Sequence, residues 1–224
     1  IKEAIEKVKG IKKLNLVSRK KDKQALFEVK EGMGMEVMLF GPDDKEIAHL
    51  FIGKSGPDLF STYIRKAGSD ETFLYDGYLK GSFDYSVNNW RDKTIFDFDV
   101  NQVDELKIAK KKETIVLSKD TEGNWHIEQP ISSLGEKSEV EKVLRTLSQL
   151  KATGFASEDE LKETGLENPE YQISATLKDG RKKTLIVGNK KGEHQYYVKN
   201  DEKKYVYILY QSTVKDLTPS IKDL

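Results

Sequence analysis

The sequence predicts an α+β fold of mostly antiparallel sheets with a few packed helices, built by internal duplication. Three observations carry this expectation. Short apolar runs of strand length alternate with tight-turn signals along most of the chain. Two stretches instead space their apolar residues at helical intervals. The chain also resembles itself at a fixed offset: Glu46 to Gly53 followed by Phe60 to Ile64 reads like Lys182 to Gly188 followed by Gln195 to Val198. Gly53 and Gly188 lie 135 positions apart, as do Ile5 and Val140. A repeat of this kind has to be recognised before any element is assigned.

In chain order, Ile1, Ala4, Ile5, Val8 and Ile11 form one helical face. Ala25 to Val29 is strand-like or irregular. Met35 to Phe40 and Ile47 to Ile52 flank a turn at Gly41-Pro42-Asp43-Asp44. Leu59 to Arg65 and Thr72 to Tyr75 flank residues 68–71, and Tyr78 to Trp90 is partly helical. Val103 to Ile108, Thr114 to Leu117 and Trp125 to Glu128 read as three strands, the last two joined by a turn ending at Gly123-Asn124. Ser138 and Glu141 form an S-x-x-E capping box ahead of a stripe of Val140, Val143, Leu144, Leu147 and Leu150. A second S-x-x-E, Ser157 and Glu160, opens a shorter helix, which Gly165 ends in a left-handed conformation before Pro169. Tyr171 to Leu177 and Lys183 to Val187 flank Asp179-Gly180, expected as a type I′ turn. Gln195 to Lys199 and Tyr205 to Tyr210 make a further hairpin, and Gln211 to Leu217 a short helix.

The two repeats are read as residues 1–96 and 97–224. Only the second carries a leading meander, so the first is expected to be N-terminally truncated, with its own meander upstream of Ile1.

Composition narrows the function. The 224 residues are 37% hydrophobic and 34% charged, a balance that folds. Thirty-eight basic residues offset thirty-eight acidic ones, which leaves no electrostatic footprint for nucleic acid or anionic lipid. Absence of cysteine removes disulfides, thiolate nucleophiles and Cys-based zinc sites. No apolar run approaches the roughly 20 residues of a membrane-spanning helix.

The candidate sites each have a plainer reading. Gly53-Lys54-Ser55 is like the end of a phosphate-binding loop, but Ala48 stands where that loop needs glycine, so a strand-ending turn is expected. Gly32-Met33-Gly34 lacks the third glycine of a dinucleotide fingerprint. His49, His126 and His194 share no ligand spacing. Asp97 with Asp99, and Asp43 with Asp44, are expected as solvated carboxylates. No G-x-S-x-G elbow presents a serine. Lys110-Lys111-Lys112 reads as a solvated hairpin tip. Tyr205 and Tyr207 are expected in the core, and so is Trp125. Trp90, Tyr196 and Tyr197 are the candidate ligand or partner surface. No catalytic residue, metal ligand or cofactor is expected.

The second half resembles a bacterial family known as domain of unknown function 4340. The resemblance rests on Gly123, Trp125, Ile127 and Pro130 (G-x-W-x-I-x-x-P), the helix from Ser138, then Gly165, Leu166 and Pro169 (G-L-x-x-P), Asp179-Gly180, Val187-Gly188 and Tyr196-Tyr197-Val198. It covers nearly all of Val103 to Leu224; the first half looks like a degenerate relative, with Gly32-Met33-Gly34 in place of Gly165-Leu166 and Pro169. It implies a bacterial envelope protein held by an N-terminal membrane helix, with this region outside the cytoplasm, encoded beside gliding-type ABC transporter genes. The resulting expectation is a non-enzymatic extracytoplasmic module, monomeric in isolation. It binds or positions envelope or transporter proteins as an accessory of an ABC-type system. The alternatives are a carbohydrate- or ligand-binding module using surface tyrosines, or an enzyme with an unfamiliar site.

Overall fold

A computed structural model describes residues 2–12, 14–111 and 113–224. Ile1 of the first helical face and Lys112 of the basic run lie outside the described residues. The chain divides into two compact units, Ile1–Arg91 and Asp92–Leu224.

The first unit opens with α1 (Lys2–Lys9) and β1 (Leu14–Ser18). Next come β2 (Met35–Phe40), β3 (Glu46–Ser55), β4 (Thr62–Lys66) and β5 (Thr72–Tyr75). Two single-turn helices, α2 (Lys80–Phe83) and α3 (Val87–Trp90), close it. Its antiparallel sheet has the order β1-β5-β4-β3-β2. The fully buried core is small, centred on Val37, Ile52, Ile64 and Leu79.

The second unit opens with the meander β6 (Val103–Lys110), β7 (Glu113–Lys119) and β8 (Trp125–Gln129). The short β9 (Ser133–Leu134), α4 (Lys137–Ser148) and β10 (Gly154–Phe155) follow. Then come β11 (Tyr171–Leu177), β12 (Lys182–Lys191), β13 (Gln195–Asn200), β14 (Tyr207–Tyr210) and α5 (Gln211–Leu217). The sheet order is β10-β14-β13-β12-β11-β6-β7-β8-β9. The α4 stripe of Val140, Val143, Leu144 and Leu147 is buried in one cluster with Trp125 and Ile127 of the meander and with β11 to β14. Each such side chain contributes about 1.5–3 kcal/mol by leaving water.

The order β10-β14-β13-β12-β11 repeats β1-β5-β4-β3-β2, strand for strand. The likeness extends to atomic detail. The β3–β4 register slips between Ile52 and Ser55, and the β12–β13 register slips between Val187 and Lys190, each around its glycine. A Cβ on Gly53 would lie 2.1 Å from the carbonyl oxygen of Phe27; one on Gly188 would lie 2.0 Å from that of Thr164. In both places the next residue donates its N–H to that same oxygen, Lys54 at 3.2 Å and Asn189 at 2.7 Å. A bulge that lets another backbone approach needs glycine for want of a side chain.

Several local expectations need correction. The segment 92–96 packs in the second unit, not the first. Thr94 bridges Lys151, the Ile95 and Phe96 N–H groups donate to Leu150, and both side chains are buried. α4 is capped by Glu136, whose carboxylate accepts from the N–H and hydroxyl of Ser138. Glu141 pairs with Arg145 instead of reaching back, so the Ser138–Glu141 capping box does not form. The Ser157–Glu160 motif does close, with Glu160 accepting from the N–H and hydroxyl of Ser157, but it opens a 3₁₀ helix at Asp159–Glu163. Gly180 has φ +81° whereas Asp179 does not have positive φ. The turn is therefore not type I′. Gly180 N–H donates to Leu177, Leu177 N–H donates to Arg181, and a longer loop with a left-handed glycine results. Of the two readings of Ala25 to Val29, the irregular one holds, with residues 25–28 in turns. The left-handed counterpart of Gly165 (φ +63°) is Glu28 (φ +57°), not Gly32. Each follows the residue whose carbonyl abuts the bulge glycine, and each precedes an apolar residue, Val29 or Leu166, that packs on that glycine.

Candidate functional site

The tyrosine surface is not assembled. Tyr196 and Tyr197 are only 7% and 3% exposed, because β13 is an interior strand between β12 and β14. Burial raises the pKa of both hydroxyls, and Tyr197 also donates to Glu160 at 3.2 Å. Tyr207 is buried, while Tyr205 is half exposed with its ring edge-on to Phe155. Coplanar exposed rings of the kind a sugar platform needs are therefore missing at this place, and the ligand-binding alternative loses its support. Trp125 is in the core, with Lys119 over its ring.

Trp90 has a different setting. It is half buried, edge-on to Tyr85, and lines a groove of about 420 Å³ within the first unit. All six residues of β2 line this groove, with Ala4 and Ile5 of α1 and Phe83 of α2. Among the described residues β2 pairs only with β3, so its other edge is open.

A second apolar feature was not singled out in the sequence. The loop between β3 and β4 carries Leu59 and Phe60, 74% and 77% exposed. Leu59 has φ +65°, a conformation costing a branched residue about 1–2 kcal/mol. Asp58 holds the loop: one carboxylate oxygen accepts from Phe60 N–H at 3.1 Å, Ser61 N–H at 2.8 Å and the Ser61 hydroxyl at 2.5 Å. Those bonds, the Ser61 hydroxyl foremost, keep the Asp58 carboxyl below the usual range. Gly56 N–H donates to Ser61, closing the base. The equivalent loop of the second unit, Gly192-Glu193-His194, has no apolar residue. The only trace of the tip in the sequence is the adjacent pair Leu59-Phe60 inside a Gly-Pro-Asp turn, a position where solvated residues are the norm.

The polar clusters serve local structure. Asp120 is lowered to about 2, first by its hydrogen bond with His126 and next by the Asn124 N–H, and it braces the turn around Gly123 (φ +88°). Glu160 is lowered to about 2 by Lys191 and then by the Ser157 N–H. His49 meets Glu36 at 2.6 Å across the β2–β3 pair. His194 sits in a turn, exposed beside Glu193. Among the described residues no three His, Asp or Glu side chains gather as a metal site. Gly53-Lys54-Ser55 lies within β3 at its bulge, where Gly53 serves the approach of Phe27. Leu166 packs on Gly188, and Pro130 follows a cis peptide bond. No helix among the described residues is long and apolar enough to cross a membrane.

No curated protein and no solved structure matches the chain. A family model, the domain of unknown function DUF4340, matches residues 1–169. The match takes in the whole first unit and the second as far as Pro169, whereas the motifs placed the resemblance over Val103 to Leu224. It spans 169 of the 224 residues, and the chain belongs to this family, DUF4340.

Proposed function

We propose that this chain is a non-enzymatic extracytoplasmic module that binds and positions partner proteins, as an accessory of an ABC-type transport system. The observation that carries the binding role is the Leu59–Phe60 tip. A backbone held in an unfavourable conformation by a dedicated carboxylate, presenting two adjacent apolar side chains to solvent, costs stability without benefit to the core. Such costs are retained where a partner buries the apolar pair, and large apolar side chains in a rigid loop make effective anchors. The envelope setting and the transporter as partner rest on what the resemblance to the family implies, a neighbouring transporter gene and an N-terminal anchor.

The test is affinity capture after crosslinking of the full-length protein in its native membranes. Subunits of one transporter are expected with the wild type and absent with Leu59→Gly/Phe60→Ser. Equal recovery of the same proteins by both forms would remove the tip from the account, and recovery of glycans or small ligands alone would overturn the protein-binding reading.

A further inference from the structure

β2 is an edge strand with the make-up of an interior one. Natural edges are blunted by lysine, proline or inward charge. β2 reads Met-Glu-Val-Met-Leu-Phe, with Met35, Val37 and Leu39 turned to the core. Its counterpart shows what such a strand accepts. β2 pairs with β3 through Met35↔Ile52, and β11 pairs with β12 through Tyr171↔Val187. The far edge of β11 is taken by β6, from Tyr171↔Lys110 to Thr176↔Glu105 and on to Leu177↔Val103.

The helices report the same vacancy. Val140 and Val143 of α4 are fully buried, beneath a core to which the β6–β8 meander adds Leu106, Leu117 and Trp125 among others. Ile5 and Val8 of α1, 135 positions earlier, are only half buried, and the groove beside β2 opens next to Ile5. Among the described residues of the first unit, nothing therefore pairs with this hydrogen-bonding edge or covers this apolar face on the side where the second unit carries its meander.

We propose that the β2 edge and its groove seat a three-stranded antiparallel meander of the β6–β8 kind, carried in the same polypeptide directly ahead of α1. In the second unit the meander reaches its helix through a short connection, from Gln129 to Lys137, which ties it to the helix that follows. The same order in the first unit places the covering strands before α1 and sets the inner strand antiparallel to β2, with the residue opposite Met35 equivalent to Lys110. Alternating apolar residues facing Val37 and Leu39, and a buried aromatic over Ile5, are the chemistry this seat selects. The inference does not depend on the Leu59–Phe60 tip.

Amide hydrogen exchange on the full-length polypeptide tests it, with internal references. Residues 35–40 are expected to exchange as slowly as residues 171–177, at least about ten-fold more slowly than the exposed edge strand at residues 14–18, at every protein concentration. Exchange of residues 35–40 as fast as residues 14–18 would overturn the proposal. Protection that grows with concentration would assign the seat to a second copy, and protection that appears only when a partner protein is added would assign it to that partner; either contradicts a seat filled in cis. A natural polypeptide with no strand-forming segment before α1 would also overturn it.

Discussion

Replacing Gly188 by alanine tests the close approach that both units share. The new methyl would sit 2.0 Å from the Thr164 oxygen and 3.2 Å from Cδ2 of Leu166, so the loop and β12 must separate. Overpacking of this kind costs about 1–3 kcal/mol. Separation also weakens the 2.7 Å bond from Asn189 N–H to Thr164, a further loss of about 0.5–1.5 kcal/mol. The expected total is about 2–4 kcal/mol. Gly180→Ala supplies the control: its Cβ meets nothing within 4 Å, and only the positive φ is penalised, at about 1–2 kcal/mol. Urea unfolding followed by the fluorescence of Trp125, in a Trp90→Phe background, reads the second unit alone. A Gly188→Ala variant no less stable than Gly180→Ala would refute the reasoning. Gly53→Ala, followed through Trp90, is expected to behave in the same way in the first unit.

Further outcomes are expected elsewhere. Arg65 is buried over the Phe51 ring and donates to the carbonyls of Val29, Lys66 and Ser69, so Arg65→Ala should cost about 2–4 kcal/mol in chemical denaturation, and Arg65→Lys should recover only part. Leu144→Ala, at a fully buried site, should cost about 2–5 kcal/mol, and Ile5→Ala under about 2 kcal/mol in residues 1–224, by the same measurement. Asp120 has a depressed folded pKa, so its contribution is present above the ordinary 3.8 and is lost as pH falls through about 2; the stabilities of wild type and Asp120→Asn should converge over that interval. Leu59→Gly should raise stability by up to about 1 kcal/mol, because glycine tolerates φ +65°, while removing part of the proposed partner-binding surface.

The elements that could be read from the sequence are those whose pattern has one physical cause. The stripe from Val140 to Leu147 recurs at helical spacing because one face is buried, the runs in β11 to β14 are apolar because consecutive residues of these strands are buried, and Gly53 and Gly188 recur because the same backbone contact recurs. β1 escaped detection because none of its residues is buried, so no face imposes a pattern, and β10 because two residues are too few to show one. The capping of α4 was misassigned because Glu136 lies two residues ahead of Ser138 and intercepts its hydroxyl, while the N–H of Glu136 is tied to the chain's last carbonyl, at Leu224. Glu28 was missed because a left-handed non-glycine leaves no compositional trace. Tyr196 and Tyr197 read as surface candidates because tyrosine is at home in either setting, and only the sheet order decides between them. The Leu59–Phe60 tip became visible only once exposure and backbone angle were seen together.

The central claim is that the apolar tip docks a partner protein. A photo-crosslinking amino acid at position 60 of the full-length protein, in its native membranes, tests it most directly, with position 182, where exposed Lys182 begins β12, as control. The account predicts a discrete protein adduct from position 60, containing a transporter subunit, and none from position 182. Adducts only with lipid, or the same pattern from both positions, would contradict it.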